Sequence, residues 1–258
     1  MPSFSLPVLN IECVTYVEQR GRVKTHCLVM SMALISLTLG LILSIIVTFK
    51  GGNMVTFFDV EAVARTDIPD ECLPKFKAPA NIKDPDKIKA RQKEFYIKSK
   101  QGLAKDPWTA KIVCLQMLTP EGTWYGSVGS DEVGMLEMFW ERVQDSSVYV
   151  GGFNIIGYDL PLIYIRSILH KVKPSRKFIL NRYNSDVLDV MYKLCSNDLS
   201  KAKKLDYYCN MFHLGKKSGQ GEEVAKLFKE GKLVEIESYC RVDVQLTKDL
   251  SLLTQTFF

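Results

Sequence analysis

Cysteine is sparse and unpaired in pattern. The chain has 7 cysteines in 258 residues and no C-x-x-C. Cys72, Cys114, Cys195, Cys209 and Cys240 all follow residue 53. An odd set without a C-x-x-C pair excludes a disulfide framework or a zinc site and reads as thiols of a reducing compartment. There is no G-x-x-x-x-G-K-[ST], no G-x-G-x-x-G and no nucleophile elbow, which removes P-loop, dinucleotide-binding and serine-hydrolase readings. Internal repeats are also missing. Neither sign of charge dominates: 34 Lys and Arg stand against 29 Asp and Glu, a net +5. That balance permits a nucleic-acid partner without demanding one. What is present is ordinary folding material, 47% hydrophobic and 24% charged, enough for one domain and something more.

The additional material lies at the N-terminus. Residues 27–49 form an uncharged run of 23 residues, long enough as a helix to cross a hydrocarbon core of about 30 Å. It reads as a transmembrane helix rather than a cleaved signal peptide, because its preceding flank is too long and no A-x-A-like site follows. Arg20, Arg22 and Lys24 precede the run, while Asp59 and Glu61 lie beyond it. The positive-inside rule would then put the C-terminal part outside the cytoplasm, at odds with its thiols. Translation from Met54 removes the conflict. Lys50-Gly51-Gly52-Asn53 can be encoded as a purine-rich ribosome-binding sequence directly before an AUG. The expectation is therefore an N-terminal segment 1–53 and a folded domain 54–258: cytoplasmic if translation starts at Met54, otherwise anchored to a membrane by one helix.

From residue 55 the pattern is α/β. Val55 to Glu61 reads as a strand whose period of two puts Asp59 and Glu61 on one face. Strands are expected at 111–118 and 123–128 around a Pro120-Glu121-Gly122 turn, then a helix over 131–143, a strand over 147–153 and a helix over 159–170. The remainder from Asp186 reads as mostly helical, punctuated by Gly215, Gly219, Gly221 and Gly231. Between the first two strands, residues 83–105 carry eight basic residues against three acidic ones. A solvated helix is the plain reading of that run, and contact with a nucleic-acid backbone is the alternative.

Three short segments carry chemistry. Two acids on one face of an otherwise apolar strand, Asp59 and Glu61, are costly unless something cationic compensates them. Asn154 ends an apolar strand, and Asp159-Leu160-Pro161 opens a helix, where α/β sheets place ligands but also where Asp commonly caps. Tyr239 and Asp243, four apart, share a flank of a late helix whose apolar stripe is Leu233, Ile236, Cys240, Leu246 and Leu250. In order these are D-x-E, N-x4-D and Y-x3-D.

FDVE, GFNIIGYDLP and YCRVDVQLT resemble the three motifs of the DEDD 3′→5′ exonucleases, in the Tyr-containing branch that includes the proofreading domain of family B DNA polymerases. The resemblance runs from about Met54 to the C-terminus, and no polymerase palm or thumb accompanies it. It implies a ribonuclease H-like mixed β-sheet flanked by helices, with Asp59, Glu61, Asp159 and Asp243 gathered around two Mg²⁺ or Mn²⁺ ions. Hard oxygen ligands suit such cations, and two ions about 4 Å apart can stabilise both the attacking and the leaving oxygens of a phosphodiester. By the same resemblance Asp59 bridges the ions, Glu61 and Asp243 complete the site beside the attacking water, and Asp159 acts mainly through water. Tyr239 orients that water, since a phenol with a pKa of about 10 is a poor base at neutral pH. Asn154 contacts the terminal nucleotide, with Phe153 or Phe58 packed near it.

The implied activity is metal-dependent 3′→5′ removal of nucleoside 5′-monophosphates from single-stranded or frayed DNA ends. A separate DNA polymerase or replication protein is the implied partner. RNA as substrate and a non-cutting nucleic-acid-binding module are the alternatives. His170 and His213 read as helix-end residues, and neither precedes Asp243 on its helix, so the His-containing branch does not fit. Asp186 and Asp189, one helical turn apart, could mimic a metal pair, but a cap plus a solvated position is the plain reading. Lys201, Lys203, Lys204, Lys216 and Lys217 read as surface charge, with steering of a single strand as the functional option.

Overall fold

The computed structural model describes residues 15–17, 23–25, 55–183, 186–215 and 221–255. The chain divides into two units, 1–52 and 53–258. In the first, Thr15–Val17 pairs antiparallel with Val23–Thr25. The apolar run 27–49 lies outside the described residues. Among those described, no helix is long and apolar enough to cross a membrane.

The second unit is a five-stranded mixed sheet flanked by helices. Its elements in chain order are β1 (Val55–Ala64), α1 (Pro85–Leu103), β2 (Ala110–Leu118), β3 (Trp124–Val128), α2 (Glu132–Arg142), β4 (Tyr149–Gly152), α3 (Asp159–His170), β5 (Leu188–Asp189), α4 (Val190–Leu194), α5 (Leu205–Met211), α6 (Gly221–Lys229) and α7 (Leu233–Thr254). The strand order is β3-β2-β1-β4-β5. β1, β2 and β3 form an antiparallel meander, and β4 and β5 join parallel on the other side. Residues 188–189 therefore form a short strand in the region that the sequence pattern assigns to helix.

Alternation along β1 sorts its residues between two faces. Phe58 and Val60 join the cluster built by β2, α2 and α3, with Ile112, Phe139 and Leu162. Phe57 and Val63 point the other way, toward α7. β1 is far longer than β4, and the two pair only at Val55, Thr56 and Phe57. The pairing is tight. A Cβ on Gly152 would lie 2.8 Å from the Phe58 carbonyl oxygen, so the close approach of β4 to β1 requires glycine there. Beyond Phe57 the β4-side edge of β1 has no strand partner, and that open edge is where the polar groups gather.

Candidate metal centre

On the α7 face of β1 stand Asp59 and Glu61, flanked by Phe57 and Val63. On α7, Asp243 stands between Cys240 and Val244. The matching order divides the apolar face into two clusters, one around Phe57, Val244, Leu246 and Leu250, the other around Val63, Ile236, Tyr239 and Cys240. The three acids lie between the clusters, and one carboxylate oxygen from each falls within 4.8 Å of the others. Glu61 and Asp243 are buried and Asp59 is half-buried.

Asp159 approaches from the open edge and is not one of the three within 4.8 Å. As the first residue of α3 it accepts the Val60 N–H at 3.3 Å, taking the position β4 would hold if it continued. It is buried. Burial, and then the negative charge of Asp59, push its carboxyl well above the usual carboxylate range. Three clustered acids, with Asp159 close enough to feel the charge of Asp59, repel one another, and a bound cation reverses that cost. The donor set is all carboxylate oxygen, the chemistry of a hard divalent metal. The residues therefore fit such an ion. Among the described residues no other group of His, Cys, Asp or Glu comes together in this way.

Two residues organise the site that the sequence pattern marked only as core or cap. The Cys240 thiol donates to the Asp59 carbonyl oxygen at 3.3 Å and lies 3.5 Å from Asp59 Oδ2. Burial first, then its contact with Cys114 and the nearby carboxylates, push the thiol up and keep it a donor. Asp189 is buried and accepts four backbone N–H groups: Asn154 at 3.0 Å, Ile156 at 3.0 Å, Met191 at 3.1 Å and Tyr192 at 3.3 Å. The last two cap α4. The first two hold the Asn154 loop, where Asn154 adopts a left-handed φ of 63°, a conformation Asn tolerates better than most residues. D-V-L-D carries the capping signal, but nothing local shows that the carboxylate is also spent 33 and 35 residues upstream.

Tyr239 is buried one turn before Asp243 and packs with Val63, Val113 and Ile236. Phe153 and Asn154 are half-buried beyond the end of β4, and the Phe153 ring lies edge-on to Tyr208 at 6.0 Å. Phe58 does not join them. It is 1% exposed and its ring lies 5.1 Å from that of Phe139 in the opposite core. The period of two explains this: Phe57 shares the face of Asp59 and Glu61, and Phe58 cannot. His170 ends α3 and bonds to Glu132, far along the helix from Asp159, and His213 is exposed just beyond α5. Lys201 pairs with Asp198, Lys203 and Lys204 are exposed, and Lys216, Lys217 and Gly219 lie outside the described residues.

Predicted 3′-5′ exonucleases related to the exonuclease domain of PolB form a family that matches residues 110–255, more than half of the chain. The chain belongs to that family. Among solved structures 77 chains match this PolB-exonuclease relative. One is the family B DNA polymerase from the hyperthermophilic archaeon Pyrobaculum calidifontis, with a TM-score of 0.55 at 15% identity over 79% of this chain. The likeness covers 25% of that polymerase, so the family member described here spans about a quarter of its length. At that identity the likeness is one of fold. No curated protein matches the sequence.

Proposed function

We propose that the protein is a 3′→5′ exonuclease that hydrolyses single-stranded or frayed DNA ends, releasing nucleoside 5′-monophosphates, with two divalent cations, Mg²⁺ or Mn²⁺, held by Asp59, Glu61, Asp159 and Asp243. The carrying observation is the convergence of three carboxylates within 4.8 Å, with a fourth set against the Val60 amide. The strand order β3-β2-β1-β4-β5 agrees with a ribonuclease H-like sheet. Cations bound there would supply Lewis acidity at the scissile phosphate and acidity for the attacking water.

The chain's own residues do the remainder. Asp59, central on β1 and contacted by Cys240, would hold the cations together with Glu61 on the same strand and Asp243 on α7, beside the attacking water, and Asp159, shielded and bonded to the Val60 amide, would help to hold them beside the leaving oxygen. Tyr239, one turn from Asp243, orients the attacking water through its hydroxyl. The Asn154 loop, fixed by Asp189, meets the terminal nucleotide, with Phe153 beside it. Separate replication proteins are the proposed partners.

The test is direct. The full chain is incubated with 5′-labelled single-stranded DNA and the matching RNA, with Mg²⁺, Mn²⁺ or EDTA. A ladder shortening from the 3′ end with metal and absent with EDTA is the expected result. Preference between the two strands decides the sugar, because carboxylate chemistry on a phosphodiester does not. Intact substrate from folded, metal-supplied protein overturns the nuclease reading in favour of a non-cutting nucleic-acid-binding module.

A further inference from the structure

The helix α1 has no obvious structural reason to exist. It runs 19 residues, capped by the Asp84 carboxylate, which accepts the Asp86 and Lys87 amides at 3.0 and 3.4 Å. None of its described side chains is buried, and only Ile88, Phe95, Ser99 and Leu103 are partly covered. Helices in proteins usually owe their stability to a buried face, so this one is kept with little help from a core.

Its charge is ordered. With those four partly covered residues taken as the inner stripe, a 3.6-residue period places the bases in two rows. Lys87, Arg91 and Lys98 form one. There Lys87 pairs with Asp84 at 3.8 Å and Lys98 with Glu94 at 2.6 Å. Lys89, Lys93 and Lys100 form the other row, at i, i+4 and i+11, all exposed and, among the described residues, none in an ion pair. Tyr96 lies beside that second row and is 44% exposed. At about 1.5 Å per residue the row extends about 16 Å along one flank.

The helix also has a fixed address. The Thr109 hydroxyl donates to the Leu103 carbonyl at 2.7 Å, and the Tyr158 hydroxyl donates to the carbonyl of Ala104. Tyr158 immediately precedes Asp159. Its phenol is pushed up by burial and then by the charges of Asp159, Glu61 and Asp59. One end of a basic, solvated rod is thus bonded to the rim of the site.

We infer that the Lys89–Lys93–Lys100 row of α1 binds the phosphate backbone of the nucleic-acid strand whose 3′ end enters the carboxylate centre. The inference rests on the nuclease reading for the identity of that strand. Charge complementarity selects the occupant. Unpaired lysines in a line match a polyanion, and their counterion release gives affinity without sequence preference. The exposed apolar side chains bordering the row are Tyr96 and Ile97, far short of the contiguous patch that a membrane or protein partner would call for.

The experiment compares three full-length proteins: wild type, Lys89→Glu/Lys93→Glu/Lys100→Glu, and a charge-matched control, Lys173→Glu/Lys177→Glu/Lys229→Glu, whose lysines are exposed elsewhere. Binding of a fluorescent 20-mer in EDTA is followed by anisotropy across salt concentrations, and cleavage of a dinucleotide is measured with Mn²⁺. The α1 variant is expected to bind the 20-mer about a hundredfold more weakly near 0.1 M salt. Its log–log salt slope should be lower by about 2, since three lost contacts each contribute about 0.7 on a single strand. Dinucleotide cleavage should be unchanged, and the control should behave as wild type. Equal losses in both variants, or wild-type binding by the α1 variant, overturn the inference while the nuclease reading stands. A wild type that cleaves neither substrate but binds the 20-mer through α1 overturns the nuclease alone, and one that neither binds nor cuts overturns both.

Discussion

Glu132 and Asp159 occupy the same local geometry with opposite electrostatics. Each is the first residue of a helix, each is buried, and each accepts an N–H from a neighbouring strand, Ile112 at 2.7 Å and Val60 at 3.3 Å. Around Glu132 stand Arg166, whose Nε donates at 2.7 Å, and His170 at 2.7 Å. Burial alone would raise Glu132, and hydrogen bonds from Arg166, Ile112 and His170 more than reverse it, leaving its carboxyl below the usual range. Asp159 is raised by burial first and then by the charges of Asp59 and Asp189. A buried acid given cations by its own chain is structural. A buried acid given only other acids is a site awaiting a cation from outside.

The comparison breaks first on activity. Asp59→Ala, Asp159→Asn and Asp243→Asn should each lower exonuclease turnover more than about a hundredfold, since even outer-shell partners of a metal typically cost 10–100-fold. Circular dichroism should stay that of wild type. Glu132→Gln should do the reverse. It strands Arg166 in the core, and urea unfolding should show a loss of about 3–5 kcal/mol, with turnover per folded molecule retained below the new midpoint. Loss of turnover in the Glu132 variant at full folding, or retained turnover in Asp243→Asn, would dissolve the distinction.

Metal and proton sharpen it further. Mn²⁺ at a hundredfold excess over its Kd should stabilise wild type by about 2.7 kcal/mol, read as a rise in Tm. Asp59→Ala and Asp243→Asn should lose that rise and Glu132→Gln should keep it. For the acid limb the sign follows from Glu132 being lowered in the fold. Its contribution is complete above the ordinary carboxylate pKa and is lost as pH falls through the lower folded value. Unfolding profiles between pH 5 and 3 should therefore be steeper in wild type than in Glu132→Gln. The smallest effect belongs to Asp67, which the Arg65 hydrogen bond lowers to about 2. Its carboxylate is mostly exposed, so Asp67→Asn should cost under about 1 kcal/mol above pH 4, vanishing as pH nears 2.

Much of this arrangement was legible in the residues. Asp59 and Glu61 share a face because a strand alternates. α3 spans Asp159–His170 as its apolar periodicity predicts, and α7 begins at Leu233. Phe58 was misplaced although the same alternation excludes it: two adjacent aromatics look equivalent until one asks which shares parity with the acids. The roles of Asp189 and Cys240 were hidden for a different reason. Their partners are 35 and 181 positions away in sequence, and no local pattern reports on groups brought together only by the sheet. The two-residue β5 is likewise too short for any period to register.

The Asn154 loop holds one more lesson. Its own Gly157 and Tyr158 amides close the turn on the Asn154 carbonyl at 3.1 Å, and a carboxylate on β5 braces the same turn across neighbouring strands. Beyond α3, whose Asp159 and Arg166 have fixed partners, the connection from Lys171 to Leu188 has one task at this site, to return Asp189 to the same rung beside Gly152, so its length is open to drift while the Asn154 loop keeps its contour.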